Sequence, residues 1–415
     1  MRSNRAISLA LLMSVGCGPA AGPSVAPGET ESAAAGVTVS ITDAQAAEPE
    51  DGTQLGQPAE SSPLQPAHRV ADLLKTIREL NEQPLPQDPK EAQTVTRQRN
   101  HRIVDIATQA AQLCVSRSGQ TPKFRLAIQA RLEALYQLAI GGSPDDVDRL
   151  YADVRTLNEN DPSSVLAAEG VYYLAKFAHA MARTRGTTDE RWLTYACRRA
   201  QEFADRSADQ DSRAAALLLG TGRLCEVQAL LATTDRSSEQ LMVQARSCYV
   251  ALTGRFADTP QAREAAAVLR RLDLPGHRLQ QFGGPTLDGG FLSETEFAGH
   301  PTVIYFWEVD DPDVRTFLLP LLKKADQSSE AGVRLVGVNL DSDEAALRDF
   351  LQTNGVPGRQ IFFADDRQRG WNSPLVRFWG ISRSGNAWLL NRDGRVVAVD
   401  VSWARLEHHL AALRR

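Results

Sequence analysis

The hydrophobic pattern of this chain changes once, near Pro275, and that change constrains the fold more than composition does. Before it, apolar residues recur at helical spacing. Val70, Leu73, Leu74, Ile77 and Leu80 follow the i, i+3, i+4, i+7 rule, and a second stripe runs through Ile103, Ile106, Ala107, Ala110 and Cys114. After it, short β-rich runs alternate with helical segments, as at Thr302–Phe306, Val333–Leu340 and Gln360–Phe363. One chain therefore holds an all-helical region, 67–274, and an α/β region, 275–415.

Within the helical region several starts are legible. Ser143-Pro144-Asp145-Asp146 predicts a helix with Ser143 as N-cap and Pro144 at its first position. Asp161-Pro162 and Thr188-Asp189-Glu190 predict two more. Tyr249–Leu269 reads as a helix hairpin broken at Asp258-Thr259-Pro260. Small residues at the facing positions resemble a tetratricopeptide-type array, although no 34-residue period runs through the region. The α/β region begins with Leu287-Asp288-Gly289-Gly290, a turn between short strands. It ends with two strands around Arg392-Asp393-Gly394-Arg395 and a helix over Leu406–Leu413. Strand–helix–strand followed by a hairpin implies a mixed sheet covered by helices.

The first 66 residues read differently. Arg2 and Arg5 precede an apolar stretch, Ala6–Val15, and small residues follow, which is the pattern of an export signal. Gly16-Cys17 resembles a bacterial lipobox, in which the Cys is lipidated. Ser14 departs from that pattern, and cleavage near Ala20 is the alternative, which would release the protein without Cys17. The stretch 18–66 holds seven acidic residues and no Lys or Arg, and it is rich in Ala, Gly, Pro and Ser. Such a segment buries too little apolar surface to offset its ordering entropy, so a disordered acidic linker is expected. The remainder is balanced, with 44 acidic residues against 44 Lys and Arg. No basic block or basic–aromatic pattern points to nucleic acid.

The α/β region resembles the TlpA/ResA-type proteins of the thioredoxin-like, redoxin (AhpC/TSA) superfamily. The residues that carry the resemblance are Leu287–Gly290, the run Pro301-Thr-Val-Ile-Tyr-Phe-Trp307, Gly337-Val338-Asn339, Gly380-Ile381, and Leu389-Leu390 with Asn391–Arg395. The resemblance implies a thioredoxin fold with a mixed central sheet. It also implies thiol–disulfide exchange at a Cys-x-x-Cys pair that starts a helix and faces a cis-proline. By the register of the motif, Asp311 stands at the nucleophile position, Val314 at the resolving position and Gly385 at the cis-proline position. No cysteine occurs from Pro275 to Arg415, and a carboxylate cannot replace a thiolate in disulfide exchange.

Two readings of the acidic segment are open. Asp311 and Asp313 cap a helix begun by Pro312, or Glu308, Asp310, Asp311 and Asp313 hold a hard cation; the spacing favours capping, and no metal or cofactor is expected. Trp307, Glu308, Asp310, Asp313, Trp379 and Trp388 are the candidate lining of a binding groove, with no catalytic residue among them. Cys114, Cys197, Cys225 and Cys248 form an even set outside this region. They are either up to two disulfides in an oxidising compartment or buried small hydrophobes. His408 and His409 read as a solvated terminus. The expected function is non-catalytic binding of a protein or peptide in the cell envelope, with membrane attachment through Cys17. The alternative is a thiol–disulfide oxidoreductase that uses the helical-region cysteines. A metal-assisted hydrolase and an inert envelope spacer are the remaining classes.

Overall fold

The computed structural model describes residues 65–115, 122–208, 211–232, 234–327 and 332–413. The export-signal and lipidation expectations, Cys17 included, lie outside them, as does the linker up to residue 64; Gln65 and Pro66, expected in the linker, begin the first helix. Nine helices fill the described part of the helical region: α1 Gln65–Glu82, α2 Pro89–Val115, α3 Pro122–Ile140, α4 Pro144–Asn160, α5 Val165–Arg185, α6 Arg191–Arg206, α7 Ser212–Leu231, α8 Asp235–Arg255 and α9 Pro260–Leu272.

Local chemistry sets their starts. Proline occupies the first position of α2, α3, α4 and α9, where its missing N–H costs nothing. The side chains of Ser164, Thr234 and Thr259 each accept from a backbone N–H three residues on, at 3.1 to 3.2 Å. Two expectations need correction. Ser143 sits at the N-cap of α4, but its side chain makes no capping bond. The helix expected at Asp161-Pro162 begins at Val165, because Asp161 instead closes a turn by accepting from the Ser163 N–H at 3.1 Å.

Each helix packs on the next, and α5 on α7 and α6 on α8, so the region is an array of helix hairpins. From α5 to α7 to α9 the starts advance by 47 and then 48 residues (165, 212, 260), longer than the tetratricopeptide repeat. Helix α7 is long and apolar enough to span a membrane by length and composition. It is a core helix here: Leu218 and Cys225 are fully buried, and Glu226 on it is ion-paired. Gly222 allows α8 to approach it, since a Cβ there would stand 2.7 Å from the Tyr249 ring.

The α/β region opens with a hairpin, β1 Gly283–Pro285 and β2 Phe291–Ser293, closed by the expected turn. A five-stranded sheet follows, with β3 Thr302–Trp307, β4 Arg334–Asn339, β5 Arg359–Ile361, β6 Asn386–Leu390 and β7 Val396–Ser402 in the spatial order β5-β4-β3-β6-β7. β3, β4 and β5 are parallel, whereas β6 is antiparallel to both β3 and β7. Helices α10 Leu319–Gln327, α11 Glu344–Asn354, α12 Pro374–Trp379 and α13 Trp403–Leu413 complete it. This is the mixed, thioredoxin-like sheet that the motif order implied. Alternate residues of β3 feed opposite faces: Ile304 and Phe306 enter one core, Val303, Tyr305 and Trp307 the other.

The two regions pack into one compact unit. Arg271, the last arginine of α9, is 1% exposed and reaches into both. It pairs with Glu226 of α7, stands 3.0 Å from Asp400 of β7, and donates to the Gly380 carbonyl at 2.5 Å. Tyr249 donates its hydroxyl to the other oxygen of Glu226 at 3.0 Å. Gly380 has φ 61°, and a Cβ there would meet the Val268 backbone N at 2.6 Å, so glycine is what lets the end of α12 close against α9.

Candidate binding groove

β3 delivers the chain to the site. Trp307 ends the strand, Glu308 to Asp310 form a turn, and Asp311 begins the following helix. One Asp311 oxygen accepts from the Asp313 N–H at 3.0 Å, which is the expected capping role. The other accepts from the Ser384 hydroxyl, also at 3.0 Å. The next turn, Val314–Leu318, is a π-helical turn that leads into α10.

The register read from sequence places Asp311 opposite Gly385, and the structure brings them together. Gly385 has φ 78°, its N–H donates to the Phe306 carbonyl at 3.1 Å, and a Cβ built on it would lie 3.5 Å from Asp311 Oδ2 and 3.6 Å from Trp403 Nε1. No cis peptide bond occurs among the described residues. Val314 is fully buried in the core that holds Trp307, Leu318 and Trp403, so it takes no part in a surface site.

The carboxylates separate by environment. Glu308 is half-buried and accepts from the Trp371 indole N–H at 2.8 Å; burial, with Asp341 and Asp311 nearby, pushes its pKa above the usual carboxylate value. Asp341 is pushed up by burial too, while accepting from the Val309 N–H at 2.9 Å and from the Asn339 amide at 2.6 Å. Asp310 and Asp313 are exposed. Among the described residues no group of three or more His, Cys, Asp or Glu is arranged to hold a metal ion. Arg383 faces this cluster, and its pKa is pushed down, first by burial and also by Arg271, against the pull of Asp400, Glu226 and Asp311.

A cavity of about 690 Å³ opens here between the two regions. The end of α7, Leu230 to Ala232, forms one wall. Asp311, Asp313 and Phe317 form the second, and Arg383, Ser384, Gly385, Trp403 and Arg405 the third. Arg405 ties the walls together by donating to the Ala232 carbonyl at 3.0 Å. Leu231 and Phe317 remain 61% and 53% exposed, large apolar side chains on facing rims.

Three expected groove residues lie elsewhere. Trp307, Trp379 and Trp388 are buried, at 0%, 3% and 0% exposure. The Trp307 indole donates to Gln360 at 3.0 Å, and Trp388 packs among Phe282, Phe306 and Trp379. Strands buried on both faces leave no side for a groove-lining Trp307 or Trp388, and Trp379, at the end of α12, packs edge-on against Trp388. Of the expected set, Asp313 lines the cavity, whereas the half-buried Glu308 and the exposed Asp310 are not part of its lining. The sequence reading missed Ser384, Arg383, Trp403, Arg405 and the α7 end.

Cys114, Cys197, Cys225 and Cys248 are all buried, and each is a free thiol in this structure. Cys114 lies in a small cluster with Val70, Ala110 and Ala127, whereas Cys197, Cys225 and Cys248 belong to the main helical core. Cys197 and Cys225 have their sulfurs 3.3 Å apart. Hydrogen bonds to Cys225 and Cys248, together with burial, push the Cys197 thiol far up, away from the thiolate.

Residues 275–369 match the AhpC/TSA family. No curated protein matches the chain. Similar solved structures include a thioredoxin-family thiol:disulfide interchange protein from Chlorobium tepidum (18% identity, 33% of this chain and 96% of that one, TM-score 0.28). Two others are the thioredoxin domain of a Bacteroides vulgatus thiol-disulfide oxidoreductase (18%, 33% and 97%, 0.28) and a secreted disulfide oxidoreductase of Mycobacterium tuberculosis (19%, 32% and 96%, 0.27). The α/β region of this chain is a thioredoxin-like domain with an AhpC/TSA match over residues 275–369, joined to a helical-hairpin array.

Proposed function

We propose that this chain is an exported cell-envelope protein whose thioredoxin-like domain no longer performs thiol–disulfide exchange and instead binds a protein or peptide segment, acting as a binding or scaffolding module. The single observation that carries the reading is the groove itself. Where a redox pair would act, a carboxylate and a buried valine stand, and the helical array supplies a wall to a cavity with exposed Leu231 and Phe317 on its rims. Apolar rims flanked by the acids Asp311 and Asp313 and the bases Arg383 and Arg405 suit an extended segment with one or two apolar side chains. The N-terminal signal, lipobox-like Gly16-Cys17 and acidic linker support a membrane-anchored envelope location.

The competing reading is an oxidoreductase that uses the helical-region cysteines. It needs an accessible, low-pKa thiol. Cys197 has the opposite properties, and Cys225 and Cys248 are buried beside it.

The test places a photo-crosslinking phenylalanine analogue at Phe317 in the full chain and irradiates intact cells. A discrete adduct at position 317, and none with the analogue at exposed Val397 on β7, is expected. Equal labelling at both positions, or none at either, would remove the groove as a binding surface.

A further inference from the structure

The buried thiols of Cys197, Cys225 and Cys248 come from three successive helices, α6, α7 and α8, and meet at one point in the helical core. Cys197 is the shared member. Its sulfur lies 3.3 Å from that of Cys225, and Cys225 and Cys248 together push its thiol pKa up. Cys114 belongs to a different cluster. We propose that Cys197 and Cys225 are joined by a disulfide in the exported protein, and that Cys248 stays a thiol. The inference does not rest on the groove reading, because its test reads a covalent bond rather than binding.

The chemistry balances with an external disulfide as oxidant, such as oxidised glutathione or a protein disulfide. One thiolate attacks that disulfide and releases a thiol. The second then attacks the mixed disulfide, forming the Cys197–Cys225 bond and releasing another. Two electrons pass to the oxidant's sulfurs, and the two thiol protons end on the released thiols. Because the three sulfurs are closed off in the native core, the bond forms while α6 to α8 assemble.

The position gives the bond a mechanical consequence. Cys225 precedes Glu226, which holds Arg271 and, through it, β7. The same helix ends at the groove wall, Leu230 to Ala232. A link from α6 to Cys225 fixes the helix that joins the two regions, and closing a loop of this length restricts the unfolded chain.

Trypsin separates the three cysteines onto the peptides Trp192–Arg198, Leu224–Arg236 and Ser247–Arg255. The full chain, purified from the envelope fraction, is alkylated in denaturant without reduction, digested and mapped by mass. The expected result is Trp192–Arg198 linked to Leu224–Arg236, lighter by two hydrogen atoms than the sum of the free peptides, with Ser247–Arg255 alkylated. Three alkylated peptides, or a link to Ser247–Arg255, would overturn the proposal. As a second reading, reductant should lower the thermal midpoint of the wild type by several degrees and leave that of Cys225→Ala unmoved. Equal insensitivity in both proteins would also overturn it.

Discussion

The Ser384 hydroxyl donates to Asp311 Oδ2 at 3.0 Å across the groove, so the residue that begins the helix after β3 is tied to the loop before β6. A thiolate at such a place must stay accessible to attack a disulfide. Asp311 instead spends one oxygen on the Asp313 N–H and the other on Ser384, and it acts as a fixed element of the groove. Replacing it with Ala removes a cap and an inter-loop bond. Loss of the cap should lower stability by about 1 kcal/mol, read from urea unfolding, and crosslinking from position 317 should fall. A variant as stable as wild type with unchanged crosslinking would show that the pair does nothing.

Arg271 links the two regions through Glu226, Asp400 and Gly380. Removing one member of a buried ionic cluster leaves the other charges uncompensated, which typically costs about 3–5 kcal/mol. Arg271→Ala should therefore unfold at far lower urea concentration. The triple variant Arg271→Met, Glu226→Gln, Asp400→Asn should recover part of the loss, since Arg383 then keeps Asp311 as its facing acid and no carboxylate of the cluster is left unpaired. A mild effect of Arg271→Ala would mean that water reaches the cluster.

Glu308 gives a pH signature. Its folded-state pKa is raised, chiefly by burial, so the folded form holds its proton more tightly than the unfolded chain. Stability should then fall as pH rises from the ordinary glutamate value, about 4.3, through the raised one. Glu308→Gln keeps an oxygen for the Trp371 indole and removes the titration. The difference between wild type and variant in urea midpoint, followed from roughly pH 4 to 7, should therefore grow in the variant's favour with rising pH. A difference that is flat with pH would assign Glu308 an ordinary pKa.

How far the sequence reached follows from the range of each contact. The helical periodicity and the β3 run are local, and they gave the order of elements; the facing of Asp311 and Gly385 was implied by the family resemblance, and the pairing of β3 with β6 carries it. Trp307, Trp379 and Trp388 were misplaced because an indole reads the same in a groove as in a core; the two-sided burial of the sheet decides for Trp307 and Trp388, and the packing of α12 onto that sheet for Trp379. The wall from α7 was invisible because Ala232 and Arg405 lie 173 residues apart. The cysteine meeting was hidden likewise: Cys197 and Cys225, 28 residues apart, converge only because α6 packs on α7.

The most direct test of the account is the reduction of insulin disulfides by the purified full chain, with dithiothreitol as electron source, beside a variant carrying Asp311→Cys, Val314→Cys and Gly385→Pro. The account predicts no activity above dithiothreitol alone for the wild type. Activity confined to the variant would add that the scaffold still accepts the chemistry its residues have lost. Turnover by the wild type would contradict the account, because a buried helical-region thiol would then be doing what the groove was argued to have given up.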